Sequence, residues 1–318
     1  MKKVENRRNV LKEDMGLIYE TKGKIIFSKV KKFCETPLLM IAPAIIVLFG
    51  VALYSMFYLL YNSFFSFNLL SGIRNFIGFE NYYGHISDTE FWMSLKTSFI
   101  YIIIAMSGSI FLGFCLALVV ESELKKKKFG NILTFIFIIP SILPPVLASL
   151  IWKWLYDPSF GLINYFLGFL HIQGRAWLSD PTTAIFSIAV VDIWQWTPFV
   201  FLIFLAGLKS IPETPIESAQ IDGATRFQII RHIILPLLNP IIVIILLLRF
   251  IDTFRMFDYV YALTQGGPGN VTDVLSMRIY RSSFRYLEIG EAASAGWLMI
   301  IIMIFVSTYI LRKLYKNI

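Results

Sequence analysis

IPETPIESAQIDGATRFQIIRHIILP, residues 211–236, is a polar segment set between two long apolar runs. Residues 215–222 read as one short amphipathic helix. Pro215 suits a helix start, where its missing N–H is no loss. Ile216, Ala219 and Gln220 then share a face at i, i+3 and i+4. Asp222-Gly223 is a breaker pair, and ATRFQIIRHII (224–234) begins a second helix directed into the next apolar run. Two short helices at an angle make a protrusion, which suits a docking handle. A plain re-entry turn is the alternative reading.

The surrounding chain is lipid-solvated. Of its 318 residues 57% are apolar and 16% charged, with mean hydropathy +0.67, whereas soluble domains carry about a quarter charged residues. A net charge of +8 would suit nucleic acid in a soluble chain. Here it fits the Lys and Arg that membrane proteins gather in cytoplasmic segments, and no nucleic-acid partner is expected. Cys34 and Cys115 do not make a disulfide scaffold. The N-terminus is a charged tail with no marked cleavage site, so no removable leader is expected.

A helix crossing the hydrocarbon core needs roughly 20 apolar residues. Six stretches qualify: 38–60, 100–120, 132–152, 184–208, 233–248 and 292–311. They are apolar all round rather than striped, as membrane helices are. Placing the N-terminus inside puts twenty of the 29 Lys and Arg in cytoplasmic pieces. The run at Lys125–Lys128 is the strongest anchor, so both termini and the 211–236 segment are expected inside. Ala105, Ser109, Gly113 and Ala117 recur every four residues, a small-residue face for close helix approach. Pro140, Pro144, Pro145, Pro198, Pro236 and Pro240 interrupt the central helices, where freed carbonyls must face protein or water. That many breaks suggests a translocation path.

Enzyme chemistry finds no support. There is no GxxxxGK[ST] phosphate loop, and no GxSxG elbow. The glycine-rich TQGGPGN reads as a turn. His85, His171 and His232 are scattered, so no metal site is expected.

The opening segment resembles the EAA loop of ABC importer permeases, in which Glu-Ala-Ala is followed by three residues, Gly, nine residues, and Ile-x-Leu-Pro. Glu217, Ala219, Gly223, Ile233, Leu235 and Pro236 match at that spacing, with Ser218 replacing the first alanine. FDYVYALTQGGPGNVTD (257–273) and IYRSSF (279–284) are similar to the binding-protein-dependent carbohydrate permeases. The resemblance implies an all-α polytopic fold of the type I importer class. A charged cytoplasmic tail (1–36) would precede a six-helix permease domain (37–318) that carries the coupling loop at 209–236. It also implies a second permease subunit, two ATPase subunits that use ATP and Mg, an extracytoplasmic binding protein and a carbohydrate substrate. No cofactor is expected on this chain, which would sit multi-pass in the cell membrane. Glu217 would pair with a basic residue of the ATPase, Ala219 would enter its docking cleft, and Gly223 would make the turn. Ser218, Asp222, Ile233, Leu235 and Pro236 complete the coupling set. A permease for another solute class is one alternative. A stand-alone secondary transporter is another, and it should show internal repeats and several buried charges.

Polar groups within spans are candidates for the substrate path. Asp192, Gln195, Trp196 and Phe199 share one face of the fourth span. An indole beside a carboxylate and an amide suits a sugar, while interhelical hydrogen bonding explains the same residues. Asn239 and Asp258 are further candidates. Arg249, Asp252 and Arg255 read as a salt-bridged face near the outer end. Residues 24–33 read either as a basic membrane-surface helix or as a disordered anchor.

Overall fold

The computed structural model describes residues 37–125 and 130–315. The N-terminal tail, including 24–33, and the lysine run beyond residue 125 lie outside them. Two compact units are present, 37–59 and 60–315. The first is formed by helix α1 (Pro37–Ser63), whose last turn enters the second unit.

The second unit opens with a two-strand hairpin, β1 (Phe65–Phe67) and β2 (Arg74–Phe76), pairing Phe65 with Phe76. Then follow α2 (Glu80–Ser87) and α3 (Thr89–Lys125). At 37 residues, α3 is about 55 Å long and exceeds a hydrocarbon core of about 30 Å. The remaining helices are α4 (Gly130–Ile142), α5 (Pro145–Leu155), α6 (Leu162–Phe169) and α7 (Ala184–Ser210). After α7 come α8 (Thr214–Ile221), α9 (Arg226–Ile229), a π-helical turn at Ile230–Ile234 and α10 (Leu235–Leu237). The chain ends with α11 (Asn239–Phe254), α12 (Asp258–Leu263), α13 (Leu275–Tyr280) and α14 (Ile289–Tyr315). Apart from the hairpin, the all-α expectation holds.

Among the described residues four helices, α1, α3, α7 and α14, are long and apolar enough to cross a membrane singly. The other two expected spans are bent pairs, broken where prolines were expected to interrupt them. The third span turns through 100° between α4 and α5. Pro144 is extended there, with φ −59° and ψ 141°, and Pro145 opens the new helix. A proline also bars its predecessor from helical geometry. The fifth span was expected over 233–248 with irregularities at Pro236 and Pro240, and the break falls between them: the 226–237 arm meets α11 at 70°, so the straight helix begins at Asn239. Counting each bent pair as one span gives the expected six.

The core is built around α7, which packs on α3, α4 and α11. The small-residue face of α3 lets α7 approach closely. Ala105, Ser109 and Ala117 are fully buried. A Cβ on Gly113 would lie 2.7 Å from Val200 Cγ1 and 3.0 Å from the Phe201 amide nitrogen. Phe201, Phe204 and Leu205 of α7 fill the layer beside Ala117 and Val120, with Leu238 at the bend and Ile245 of α11 closing it.

Candidate functional site

The coupling segment forms two helices joined by a tight, fully specified corner. The α8 helix ends in a Schellman motif: the Ala224 amide donates to the Ala219 carbonyl (2.9 Å) and the Gly223 amide to the Gln220 carbonyl (3.1 Å). Gly223 takes φ +80°, a conformation that costs other residues about 1–2 kcal/mol. A capping box opens α9 two residues later. The Thr225 hydroxyl accepts from the Gln228 amide, and the Gln228 side chain accepts from the Thr225 amide at 2.7 Å. Thr225-x-x-Gln228 was readable in the sequence and was missed.

This corner sorts the expected coupling residues by exposure. Glu217, Ser218 and Asp222 are exposed, Ala219 is half-buried, and a Cβ on Gly223 would meet nothing. Ile233 and Leu235 lie half-buried in the arm below and Pro236 is exposed. Behind the protrusion, Ile216 and Gln220 line a groove of about 840 Å³ with Leu118, Leu208, Ile229 and Ile234. Ile221 and Phe227, which sequence reasoning did not single out, are 86% and 69% exposed. The protrusion therefore presents a carboxylate and two uncovered apolar side chains, a combination suited to a protein partner.

The polar residues of the fourth span gather in the interior. Asp192 is fully buried on α7 and pairs with the guanidinium of Arg249, itself fully buried on α11. Tyr101 of α3 donates to the other carboxylate oxygen at 2.9 Å, and Arg249 Nε donates to Ser109 Oγ at 3.2 Å. The guanidinium lies 5.1 Å from the centre of the Trp196 ring, within cation–π range. Gln195, one turn on, is hydrogen-bonded at both ends of its amide. Asp192 and Gln195 thus stand in the helix interface with protein partners, rather than on the wall of an open cavity.

Arg249 corrects the expectation of a surface face. Arg255 and Asp252 do pair on the surface at 2.9 Å, but Arg249 turns inward. An isolated carboxylate in an apolar interior needs a counter-charge, and Arg249 is the cation that reaches Asp192. Each was visible as a charge inside an apolar run, although the sequence did not show that the two meet. Asn239 is half-buried at the bend, ten residues or about 15 Å along α11 from Arg249, and so outside the cluster. Asp258 is half-buried at the start of α12.

At the end of α11 away from the coupling loop, TQGGPGN forms the expected turn. Gln265, Gly266, Gly269 and Asn270 all have positive φ. Thr272 is buried, donating to the Gly267 carbonyl at 2.6 Å and sharing a hydrogen bond with Thr264. Asp273 pairs with Arg281 and accepts from Ser94. Burial pushes the Asp273 carboxyl up from its ordinary range, and Arg281 opposes that shift. Among the described residues no group of three or more His, Cys, Asp or Glu is placed to hold a metal ion.

Apolar spans, two of them bent at proline, with a helical protrusion at one end, define a polytopic integral membrane protein of the transport type. A family model described as "binding-protein-dependent transport system inner membrane component" matches residues 109–318, and the chain belongs to that family. Its members are permease subunits rather than enzymes. The chain is 35% identical over 236 residues to the trehalose/maltose transport system permease protein MalF of Thermococcus litoralis, covering 74% of this chain and 78% of that one. It is 34% identical over 275 residues to the sulfoquinovosyl glycerol transport system permease protein SmoG of Agrobacterium fabrum, covering 86% and 88%. In fold it is similar to a chain of a bacterial ABC transporter involved in the import of the acidic polysaccharide alginate. The TM-score there is 0.79 at 22% identity, over 92% of this chain and 98% of that one. The type I importer fold expected from the sequence agrees with this likeness.

Proposed function

We propose that this chain is the membrane-spanning permease subunit of an ATP-driven importer for a carbohydrate. The observation that carries the reading is the α8–α9 protrusion, with its Schellman corner at Gly223 and exposed Glu217, in a chain of the binding-protein-dependent family. On this reading the protrusion faces the cytoplasm, as do both termini, and receives an ATPase subunit. Glu217 makes a charge-assisted contact there, and Ile221 and Phe227 bury their apolar surface against the same partner. Two ATPase subunits consume ATP and Mg, a second permease completes the channel, and an external binding protein delivers the solute. The carbohydrate class draws support from MalF and SmoG, whose names specify sugars or a sugar derivative.

The breaks at Leu143 and Leu238 interrupt two apolar spans, and irregular backbone in such spans is tolerated where it lines a path. Trp196, Asn239 and Asp258 stay candidates for that path. Asp192 and Gln195 contribute by holding it in shape. Uptake by membrane vesicles containing the whole complex tests the reading. With a panel of labelled neutral and acidic oligosaccharides, ATP-dependent accumulation is expected for at least one sugar and for no amino acid. Accumulation of an amino acid alone would remove the carbohydrate assignment.

A further inference from the structure

Gln195 occupies an unusual position: it is buried, and both ends of its amide are engaged by elements far apart in sequence. Its Nε2 donates to the carbonyl of Leu143, at the 100° break between α4 and α5. Pro144 is extended, which breaks the i+4 pairing that would serve this carbonyl in an unbroken helix, and Gln195 supplies the donor instead. Its Oε1 accepts from the hydroxyl of Tyr259 at 2.8 Å. Tyr259 is fully buried on α12, inside the FDYVYAL stretch at the end remote from the coupling loop. A second contact ties the same elements, since Lys153 of α5 donates to the Ala262 carbonyl of α12 at 3.3 Å. A neutral amide can donate on one side and accept on the other in this way. An ionised carboxylate would lose the first bond, and an aliphatic side chain both.

We propose that Gln195 is a positioning residue for transport, holding the α4–α5 break in its present bend, with Tyr259 setting the amide. A displacement of α12 then reaches the break through one hydrogen-bonded side chain. This rests on the importer reading and adds to it a named link between the segment remote from the ATPase and the broken span. It also gives the FDYVYAL stretch a mechanical role that its spacing alone does not suggest.

The test uses the full chain in its assembled complex in lipid nanodiscs, with two readouts: amide hydrogen exchange across 143–149 and ATP hydrolysis without binding protein. Gln195→Leu keeps the volume and removes both bonds. It should raise exchange at 143–149 about fivefold, the worth of one net hydrogen bond, and leave the middle of α3 unchanged. ATP hydrolysis should rise with it, independent of binding protein. Gln195→Glu, held neutral by burial, can still donate an O–H to Leu143 and accept from Tyr259, and should lie closer to wild type than Gln195→Leu. Tyr259→Phe, which keeps the ring in its packing, should shift both readouts in the same direction by a smaller factor. Unchanged exchange at 143–149 in Gln195→Leu overturns the proposal. So does a rise spread equally over α3 and α7, which would mean general loosening. A rise confined to the break in a complex whose wild type shows no coupled uptake would leave the link standing and remove the importer reading instead.

Discussion

Gly223→Trp and Glu217→Lys will each abolish ATP-driven uptake while the spans insert and the complex assembles. The structure gives separate reasons for the two. Gly223 holds φ +80° in a corner with open space around its α-carbon. Tryptophan there pays about 1–2 kcal/mol of left-handed strain, too little to unfold the protein. It sets an indole on the surface that an ATPase must approach, between exposed Ile221 and Phe227. Glu217 is exposed on α8, so Glu217→Lys disturbs no packing. It turns a charge-assisted contact, worth roughly 1.5–3 kcal/mol, into a repulsion. Uptake and ATP hydrolysis measured together in proteoliposomes should show hydrolysis no longer matched by transport. Normal coupled uptake in both variants would remove the docking role of α8.

Arg249→Met will destabilise the protein far more than Arg255→Met, although the two arginines are six residues apart on one helix end. Arg249 and Asp192 are both fully buried, and removing one partner leaves an uncompensated charge, at a cost of about 3–5 kcal/mol. Arg255 is 67% exposed opposite Asp252, and pairs of that kind contribute about 0–1 kcal/mol. The double variant Asp192→Leu/Arg249→Met should recover most of the loss, because a buried ion pair replaced by apolar groups of similar volume is often neutral or stabilising. The measurement is the fraction of detergent-solubilised protein that stays monodisperse after graded heating. Equal sensitivity of Arg249→Met and Arg255→Met would contradict the buried pair.

The coupling loop was legible because its determinants are local. Glu217, Ala219, Gly223 and the Ile-x-Leu-Pro at 233–236 keep a fixed spacing, and Asp222-Gly223 announces the corner whose hydrogen bonds the structure shows. The small-residue face of α3 was legible for the same reason, since Ala105, Ser109, Gly113 and Ala117 fall on one side of a helix by periodicity alone. Proline marked where the central helices break, but its chemistry sets no angle. The 100° and 70° bends depend on what packs against each arm, and that is tertiary information. The polar cluster was half legible. Sequence shows that Asp192 and Arg249 are costly where they stand, yet their sequence separation of 57 leaves open which side chain meets which. Tyr101 and Tyr259 gave no signal at all, because a buried tyrosine in an apolar run looks like any other core aromatic until its hydroxyl partner is known.

Photo-crosslinking from the protrusion tests the central claim most directly. A photoreactive phenylalanine analogue at Ile221, 86% exposed at the tip of α8, is activated in native membranes and its adducts are identified by mass spectrometry. The same analogue at exposed Gln173, between α6 and α7, serves as the control from the other side. The account predicts an adduct between position 221 and an ATP-binding subunit, with none to that subunit from position 173. An ATPase adduct from 173 and not from 221, or a 221 adduct with an extracytoplasmic binding protein, would contradict it.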